Sequence, residues 1–269
     1  MINFAKAHAY GNDFLYVPRS EIGGIAEAAF AREVCDRRTG VGADGLIVYQ
    51  STQEGASMTL WNADGSRAEV SGNGVRALAA LLLRRDDSSN ACVAIETDAG
   101  VRRLTRLERN GVRQTFRSSM GLPSEPVQIS IAAGAESVQA VSLQIGNPQC
   151  VILGALPDVD RFRRLGEALE RHPMFPDGTN VEFAEVESPT RVRILIWERG
   201  VGPTQSSGTG SCAALVAAAA FGGATHEAEV VAPGGAQRVE WRADSIYLTG
   251  WAEVLCEGTW LPQFPRTTI

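Results

Sequence analysis

Two Ser-Gly-x-Gly segments, residues 71–74 and 207–210, carry the groups in this sequence best suited to chemistry. Each opens a stretch rich in alanine and leucine, which predicts a helix. Serine is a favoured N-cap residue, so a simple cap explains either segment. Glycine also lets a ligand approach the backbone, and the first amides of a helix favour anions. The candidate groups are the hydroxyls of Ser71 and Ser207 and the backbone amides of Gly72, Asn73, Gly208 and Thr209.

Two such helix starts in one chain indicate proton transfer. If both face one cleft between two related halves, a bound carboxylate has one serine hydroxyl on each face of its α-carbon. This arrangement suits an enzyme that removes a proton from one face and returns a proton to the other.

Further polar residues lie on predicted loops near these segments. An arginine fork suits a second carboxylate of a ligand, and a glutamate suits an ammonium group. The alternative interpretation is Asx turns for the asparagines and a surface ion pair for the charged residues. The histidines, His8, His172 and His226, fall outside these segments and are predicted to be structural or surface residues. The candidate ligand-binding residues are Asn12, Asn62, Asn147, Asn180, Glu198 and Arg199.

The sequence also repeats itself. Trp61 and Trp197 are separated by the same offset as the two Ser-Gly-x-Gly segments, about half of the chain length. Gly-Asn pairs at 11–12 and 146–147 recur at nearly that offset. Common turn sequences are the alternative explanation, but several matches in the same order favour an internal duplication.

Each half has the same predicted order of elements. Strands come first, a polar loop leads to Ser-Gly-x-Gly, a helix follows at about 74–85 or 210–221, and strands return. Both helices are apolar around most of their circumference, which is typical of buried helices. We therefore predict an α+β fold of two pseudo-twofold-related domains, each a curved, mostly antiparallel sheet wrapped around a central helix.

The predicted domain boundary falls where serine, glycine and proline cluster near residues 117–125. The expected domains are 1–118 and 119–257. The tail, 258–269, is expected to pack on the first domain. A further helix, expected over about 158–171, covers the outside of the second domain.

Composition excludes several functional classes. The chain has 269 residues and a net charge of −6, so we expect no binding to nucleic acid. Its best apolar run, 213–221, is shorter than the roughly 20 residues of a membrane span. Five cysteines without a CxxC pair form no metal-ligand pattern and favour a cytoplasmic location. There is no phosphate loop or dinucleotide fingerprint. Cysteines predicted to be buried apolar residues are Cys35, Cys92, Cys150 and Cys256.

Several motifs together resemble the diaminopimelate epimerase family. The resemblance covers nearly the whole chain, in the family's order and spacing. It implies two domains with the active site between them, and a cofactor-free, two-base epimerisation of L,L-diaminopimelate to the meso form, in lysine and peptidoglycan precursor synthesis. It also implies a homodimer. The matching segments are 11–14, 36–45, 62–66, 71–74, 146–148, 180–181, 198–202 and 207–210.

The resemblance also implies roles for residues. It places the reacting carboxylate on Gly72-Asn73 and Gly208-Thr209, the four asparagines and Arg199 around the substrate, and Glu198 near the reacting centre. The family has a cysteine before each Gly-x-Gly, where this chain has Ser71 and Ser207, and tends to have a histidine where it has Gln149. A thiol has a pKa of about 8.5, whereas a serine hydroxyl is a far weaker acid that needs an adjacent base.

Three interpretations follow. The first is an epimerase in which Ser71 and Ser207 carry the protons, assisted by Glu198. The second is a divergent isomerase or racemase that acts on another substrate or through another base. The third is a non-catalytic amino-acid binder. Because every substrate-binding position matches the family, we favour the first interpretation.

Overall fold

A computed structural model describes residues 1–134 and 136–261. The chain divides into two compact units, one formed by residues 1–116 with the chain from Trp251 onward, the other by Arg117–Gly250. The second division comes earlier than the predicted 257/258, because the last strand enters the first unit at Trp251. Residues 262–269 of the predicted tail lie outside the described residues.

In its described residues, the first unit is a mixed sheet with three helices. Strand β8 (Arg113–Ser119) leads from it into the second unit. Its elements before β8 are β1 (Ile2–Ala9), β2 (Asn12–Pro18), α1 (Arg19–Ile22), α2 (Glu27–Val34), β3 (Gly45–Ser51), β4 (Gly55–Asn62), β5 (Arg67–Ala68), α3 (Gly72–Leu82), β6 (Cys92–Thr97) and β7 (Gly100–Asn110).

The second unit is built in the same way. Its last strand, β17 (Ile246–Trp260), returns to the first unit, where it pairs with β1 from Ile2↔Trp260 to His8↔Glu253. The other elements are β9 (Val127–Ala133), β10 (Glu136–Gln144), β11 (Pro148–Leu153), α4 (Val159–Glu170), β12 (Asn180–Ser188), β13 (Arg191–Glu198), β14 (Gly202–Thr204), α5 (Gly208–Ala217), a π-helical turn (Ala218–Gly222), β15 (Glu227–Ala232) and β16 (Gly235–Trp241).

Strand pairing follows one pattern in both units. In the first unit, β2 pairs with β1 antiparallel and β3 parallel, and β4 pairs with β3 antiparallel and β6 parallel. In the second unit, β11 pairs with β10 antiparallel and β12 parallel, and β13 pairs with β12 antiparallel and β15 parallel. The parallel pairs need crossover connections, and helices α2, α3, α4 and α5 lie within those connections.

The helices α3 and α5 begin two residues earlier than predicted. A serine hydroxyl caps each one by accepting a hydrogen bond from the third helical amide, so the helix starts at the glycine directly after the serine. Both helices are almost fully buried, α3 in an apolar cluster of the first unit and α5 in one of the second. The sequence interpretation of two buried helices is therefore correct.

The burial predicted for two of the cysteines is wrong. Cys92 and Cys256 are exposed, because each occupies an outward position on its strand, whereas Cys35 and Cys150 are buried. The predicted helix near 158–171 is present as α4, capped by the Asp158 side chain, which accepts from the amide of Arg161 at 2.8 Å. Within 1–134 and 136–261, no helix has both the length and the apolar character that a membrane crossing requires.

Candidate active site

The first helix start is held by Ser71. Its Oγ accepts from the amide of Gly74 at 3.1 Å, and the serine itself is half-buried. A β-carbon added to Gly74 would lie 2.8 Å from Cδ1 of Ile47, so the helix start rests on an apolar side chain of β3. The predicted ligand-binding amides of Gly72 and Asn73 are the first two of this helix, where the dipole favours an anion.

A charged network fixes the predicted binding residue Asn12. Its Nδ2 donates to Oδ2 of Asp44 at 2.7 Å. Arg37 joins Asp44 to Asp13 through Nη2, at 2.8 and 2.7 Å. Burial of Asp13 opposes its ionisation, but hydrogen bonds from Arg37 and Lys6 outweigh this and hold its pKa below the usual value. The Asn12 amide is therefore oriented by a pre-formed network of fixed charges.

Asn12 and Asn73 come together in the structure. Nδ2 of Asn73 lies 3.5 Å from Oδ1 of Asn12. The side chain of Asn73 also accepts from Nη1 of Arg76 at 3.0 Å, and Arg76 is only 1% exposed. Asn62 ends β4 and donates through Nδ2 to Oγ of Ser66 at 2.9 Å within a turn, which is not the contact of an Asx turn.

The second helix start is held by Ser207, which is buried. Its Oγ accepts from the amide of Gly210 at 3.1 Å and lies 3.5 Å from Oγ1 of Thr209. A β-carbon added to Gly210 would lie 2.7 Å from Oε1 of Glu182 and 3.2 Å from Oγ of Ser207. This helix start therefore rests on a carboxyl group.

Two glutamates near this second helix start have perturbed acidity. Burial raises the pKa of Glu198, and burial together with the nearby Glu198 raises the pKa of Glu182 well above the ordinary range. Among the described residues, neither Glu198 nor Arg199 takes part in a salt bridge, so the surface ion pair considered from the sequence is wrong.

The remaining predicted residues hold the loop after β13. The amide of Arg199 donates to Oδ1 of Asn180 at 2.9 Å, and its Nη1 donates to the carbonyl of Asp177 at 2.8 Å. Glu170, which sequence reasoning missed, accepts from the amide of Gly200 at 2.9 Å. Arg199 is exposed, and its guanidinium is held by this one hydrogen bond among the residues that the structure describes.

Asn147 and Asn180 are linked through Gln149. Nε2 of Gln149 donates to Oδ1 of Asn147, and the same amide group lies 3.1 Å from Nδ2 of Asn180. The structure thus brings the predicted residues into two groups, one in each unit. The first contains Asn12 and Asn73, and the second contains Asn147, Asn180 and the Arg199 backbone.

Sequence reasoning missed the partners that hold these groups. Arg37, Asp13 and Arg76 act in the first unit, and Glu182 and Glu170 in the second. The signal available for Glu182 was a lone charge between two apolar strand residues. In the part of the chain that the structure describes, no three His, Cys, Asp or Glu side chains cluster in a way that could hold a metal ion.

Comparison with known proteins shows which family this chain resembles. The family model described as diaminopimelate epimerase matches residues 4–124 and 141–255. A diaminopimelate epimerase of Desulforudis audaxviator is 39% identical, covering 97% of this chain and 99% of the relative. That of Carboxydothermus hydrogenoformans is 34% identical over 96% and 98% of the two chains.

Solved structures share the fold at low identity. A protein of Agrobacterium radiobacter K84 described as a probable proline racemase superimposes with a TM-score of 0.74 at 16% identity, covering 100% of this chain and 95% of the other. A predicted epimerase of Pseudomonas aeruginosa gives 0.72 at 13% identity, covering 98% and 100%. From the family match and the full-length relatives, this chain belongs to the diaminopimelate epimerase family.

Proposed function

We propose that this protein is an amino-acid epimerase that converts L,L-diaminopimelate to the meso form by two-base proton transfer without a cofactor. The observation that carries the proposal is the repeated helix start, serine-capped in each unit and accompanied by the family's polar residues. The product is a precursor of lysine and peptidoglycan.

We assign binding and proton transfer to different groups. The amides of Gly72, Asn73, Gly208 and Thr209 bind the reacting carboxylate at the positive ends of two helix dipoles. Asn12, Asn62, Asn147, Asn180 and Arg199 bind the rest of the substrate. Ser71 and Ser207 carry protons on opposite faces of the α-carbon, and Glu198 assists near the reacting centre. The Arg199 guanidinium supports this assignment because it is exposed and suits a carboxylate.

The two serines favour one second candidate, a protein that binds the amino acid without turning it over. A serine hydroxyl is a far weaker acid than a thiol, so each helix start loses the easily ionised group that a cysteine would supply. A divergent isomerase on another substrate is the third reading, and it predicts weak binding of diaminopimelate.

The test is proton exchange in heavy water. The protein is incubated with L,L-diaminopimelate in D2O, and loss of the α-proton and appearance of the meso form are followed by NMR. Epimerisation that disappears in both Ser71→Ala and Ser207→Ala, but not in the control Ser130→Ala on an exposed strand, supports the proposal. Exchange only in a Ser71→Cys/Ser207→Cys variant supports the non-catalytic binder. If no variant exchanges the α-proton, diaminopimelate is not the substrate.

Three further features belong to this proposal. The internal duplication would relate the two units by a pseudo-twofold axis, with each sheet wrapped around its own helix. The protein would act in the cytoplasm and as a homodimer. Ultracentrifugation tests the last point, since a monomer at micromolar concentration contradicts it.

A further inference from the structure

A carboxyl group with no assigned role lies beneath the second helix start. Glu182 on β12 is 0% exposed. Its neighbours Val181 and Phe183 pack in the apolar cluster that includes α4, whereas Ala184 packs in the cluster of α5. Because side chains alternate along a strand, Glu182 points toward α5. A buried carboxyl costs free energy unless it is protonated or hydrogen-bonded, so its position needs a physical explanation.

The Glu182 carboxyl and the Ser207 hydroxyl flank the same point. The β-carbon position of Gly210 lies 2.7 Å from Oε1 of Glu182 and 3.2 Å from Oγ of Ser207. Only a glycine leaves that point empty. The two oxygens are therefore close enough to exchange a proton through one bridging water molecule.

The amide of Gln149 can satisfy either protonation state of Glu182. One end of this amide lies 3.0 Å from Oε1 and 3.2 Å from Oε2. With its nitrogen on that side, the amide donates to a carboxylate and its oxygen accepts from Asn180 at 3.1 Å. With its oxygen on that side, it accepts from a carboxylic acid, and its nitrogen donates to Asn147. Gain or loss of the proton is therefore accommodated when the Gln149 amide rotates together with that of Asn147, whose Oδ1 faces it.

We propose that Glu182 is the positioning residue that exchanges a proton with Ser207 during the reaction. This inference rests on the proposed function. Ser207 takes the substrate's α-proton while its own hydroxyl proton passes to the Glu182 carboxylate. The Cα–H bond and the original serine O–H bond break, a new serine O–H and a carboxyl O–H form, and the electron pair stays on the substrate. The reverse sequence returns a proton to the same face.

The surroundings of Glu182 suit this exchange. The like charge of Glu198 on β13 acts on Glu182 and raises its pKa. Cys150 on β11 is a neutral thiol whose pKa burial raises to about 12. Helix α5 carries no charged residue, and its thiol, Cys212, is buried. Burial and the like charge both raise the pKa of Glu182, so its carboxylate is a stronger base than an exposed one.

The test measures α-proton exchange in D2O for Glu182→Gln, which keeps the shape but cannot accept the proton. We expect a loss of exchange of about 100-fold or more, with the affinity for diaminopimelate, measured by calorimetry, unchanged. The control is Glu240→Gln, a buried glutamate of the same unit that pairs with Arg117, and it should exchange at the wild-type rate. Exchange in Glu182→Gln at the wild-type rate overturns the inference and leaves the proposed function standing. No exchange in the wild type overturns both.

A structural role is excluded by two further readouts. The wild-type exchange rate should rise with pH through the raised pKa of Glu182, and Glu182→Gln should lose that rise. The double variant Glu182→Gln/Ser207→Ala should be no slower than Ser207→Ala, since both residues act in one step. An additive double variant, or an unchanged pH profile, contradicts a relay through Ser207.

Discussion

The two helix starts share one backbone and differ in what lies beneath them. In both, a serine hydroxyl accepts from the third helical amide at 3.1 Å. The first rests on Ile47 and the second on Glu182, and these residues occupy the same place in their units, since Tyr16↔Ile47 and Val151↔Glu182 are the third pairs of equivalent parallel ladders. Asn62 and Glu198, which follow the matching residues Trp61 and Trp197, differ in the same way: the first unit has an uncharged side chain and the second has a carboxyl group.

This difference shows that a duplicated backbone does not imply duplicated chemistry. The first start has a buried arginine, Arg76, one turn into its helix, where the second has Cys212. The second has two carboxyl groups of raised pKa, and the corresponding positions of the first are isoleucine and asparagine. We therefore expect the two serines to be unequal as proton carriers.

The largest expected effect separates the two serines. Ser207→Ala should reduce α-proton exchange by about 100-fold or more, because the relay to Glu182 is lost. Ser71→Ala should abolish epimerisation but keep exchange, since the proton can leave and return on one face. For each variant, NMR in D2O measures the rate of α-proton exchange and the rate of epimerisation on one sample. Equal loss of exchange in the two variants would break the comparison.

A matched pair of glycines gives the next effect. Gly210→Ala pushes its methyl group against the Glu182 carboxyl, and we expect exchange to fall by about tenfold, since one ångström of misplacement is costly in catalysis. Gly74→Ala meets Ile47 instead, and we expect a change in exchange below about threefold, with a stability cost of about 1–3 kcal/mol from overpacking. Urea unfolding separates stability from rate, and a faster Gly210→Ala enzyme contradicts the assignment.

The pH dependence of stability should have opposite signs in the two units. Glu182 has a raised pKa when folded, so its contribution is complete below the unfolded value of about 4.3 and falls as pH rises toward the folded value. Asp13 has a lowered pKa, so its contribution is complete above the unfolded value of about 3.9 and is lost as pH falls. Urea unfolding from about pH 2 to 8 should show a flatter high-pH limb for Glu182→Gln and a flatter low-pH limb for Asp13→Asn. Identical curves would refute both shifts.

The smallest expected effect lies at Asn12. Asp44→Asn removes the charge that orients the Asn12 amide, and we expect diaminopimelate to bind about three- to tenfold more weakly, the equivalent of about 1 kcal/mol. Calorimetry measures the affinity. The control is Asp36→Asn in the same loop, whose side chain accepts from the amides of Arg38 and Thr39, and this variant should bind normally.

Sequence reasoning reached the elements and the local caps, because both depend on neighbours in the chain. The Ser-Gly-x-Gly motifs predicted the caps, and the alternation of apolar and polar residues predicted the strands. It failed where partners are distant: Arg37 meets Asp13 and Asp44 through a loop, and Glu182 meets Gly210 across a strand and a helix. Alternation shows that Glu182 points inward, but it does not show which atoms it meets. The burial predicted for Cys92 and Cys256 was wrong because an apolar sequence context does not fix which face of a strand meets water.

The pairing of β1 with β17 has a consequence for synthesis of the chain. Ile2 pairs with Trp260, so β1 receives this partner only after the whole chain between the two strands has been synthesised. The second unit is one continuous segment and can complete its sheet before that moment. Until β17 has been synthesised, the edge of β1 that β17 covers is exposed to other chains.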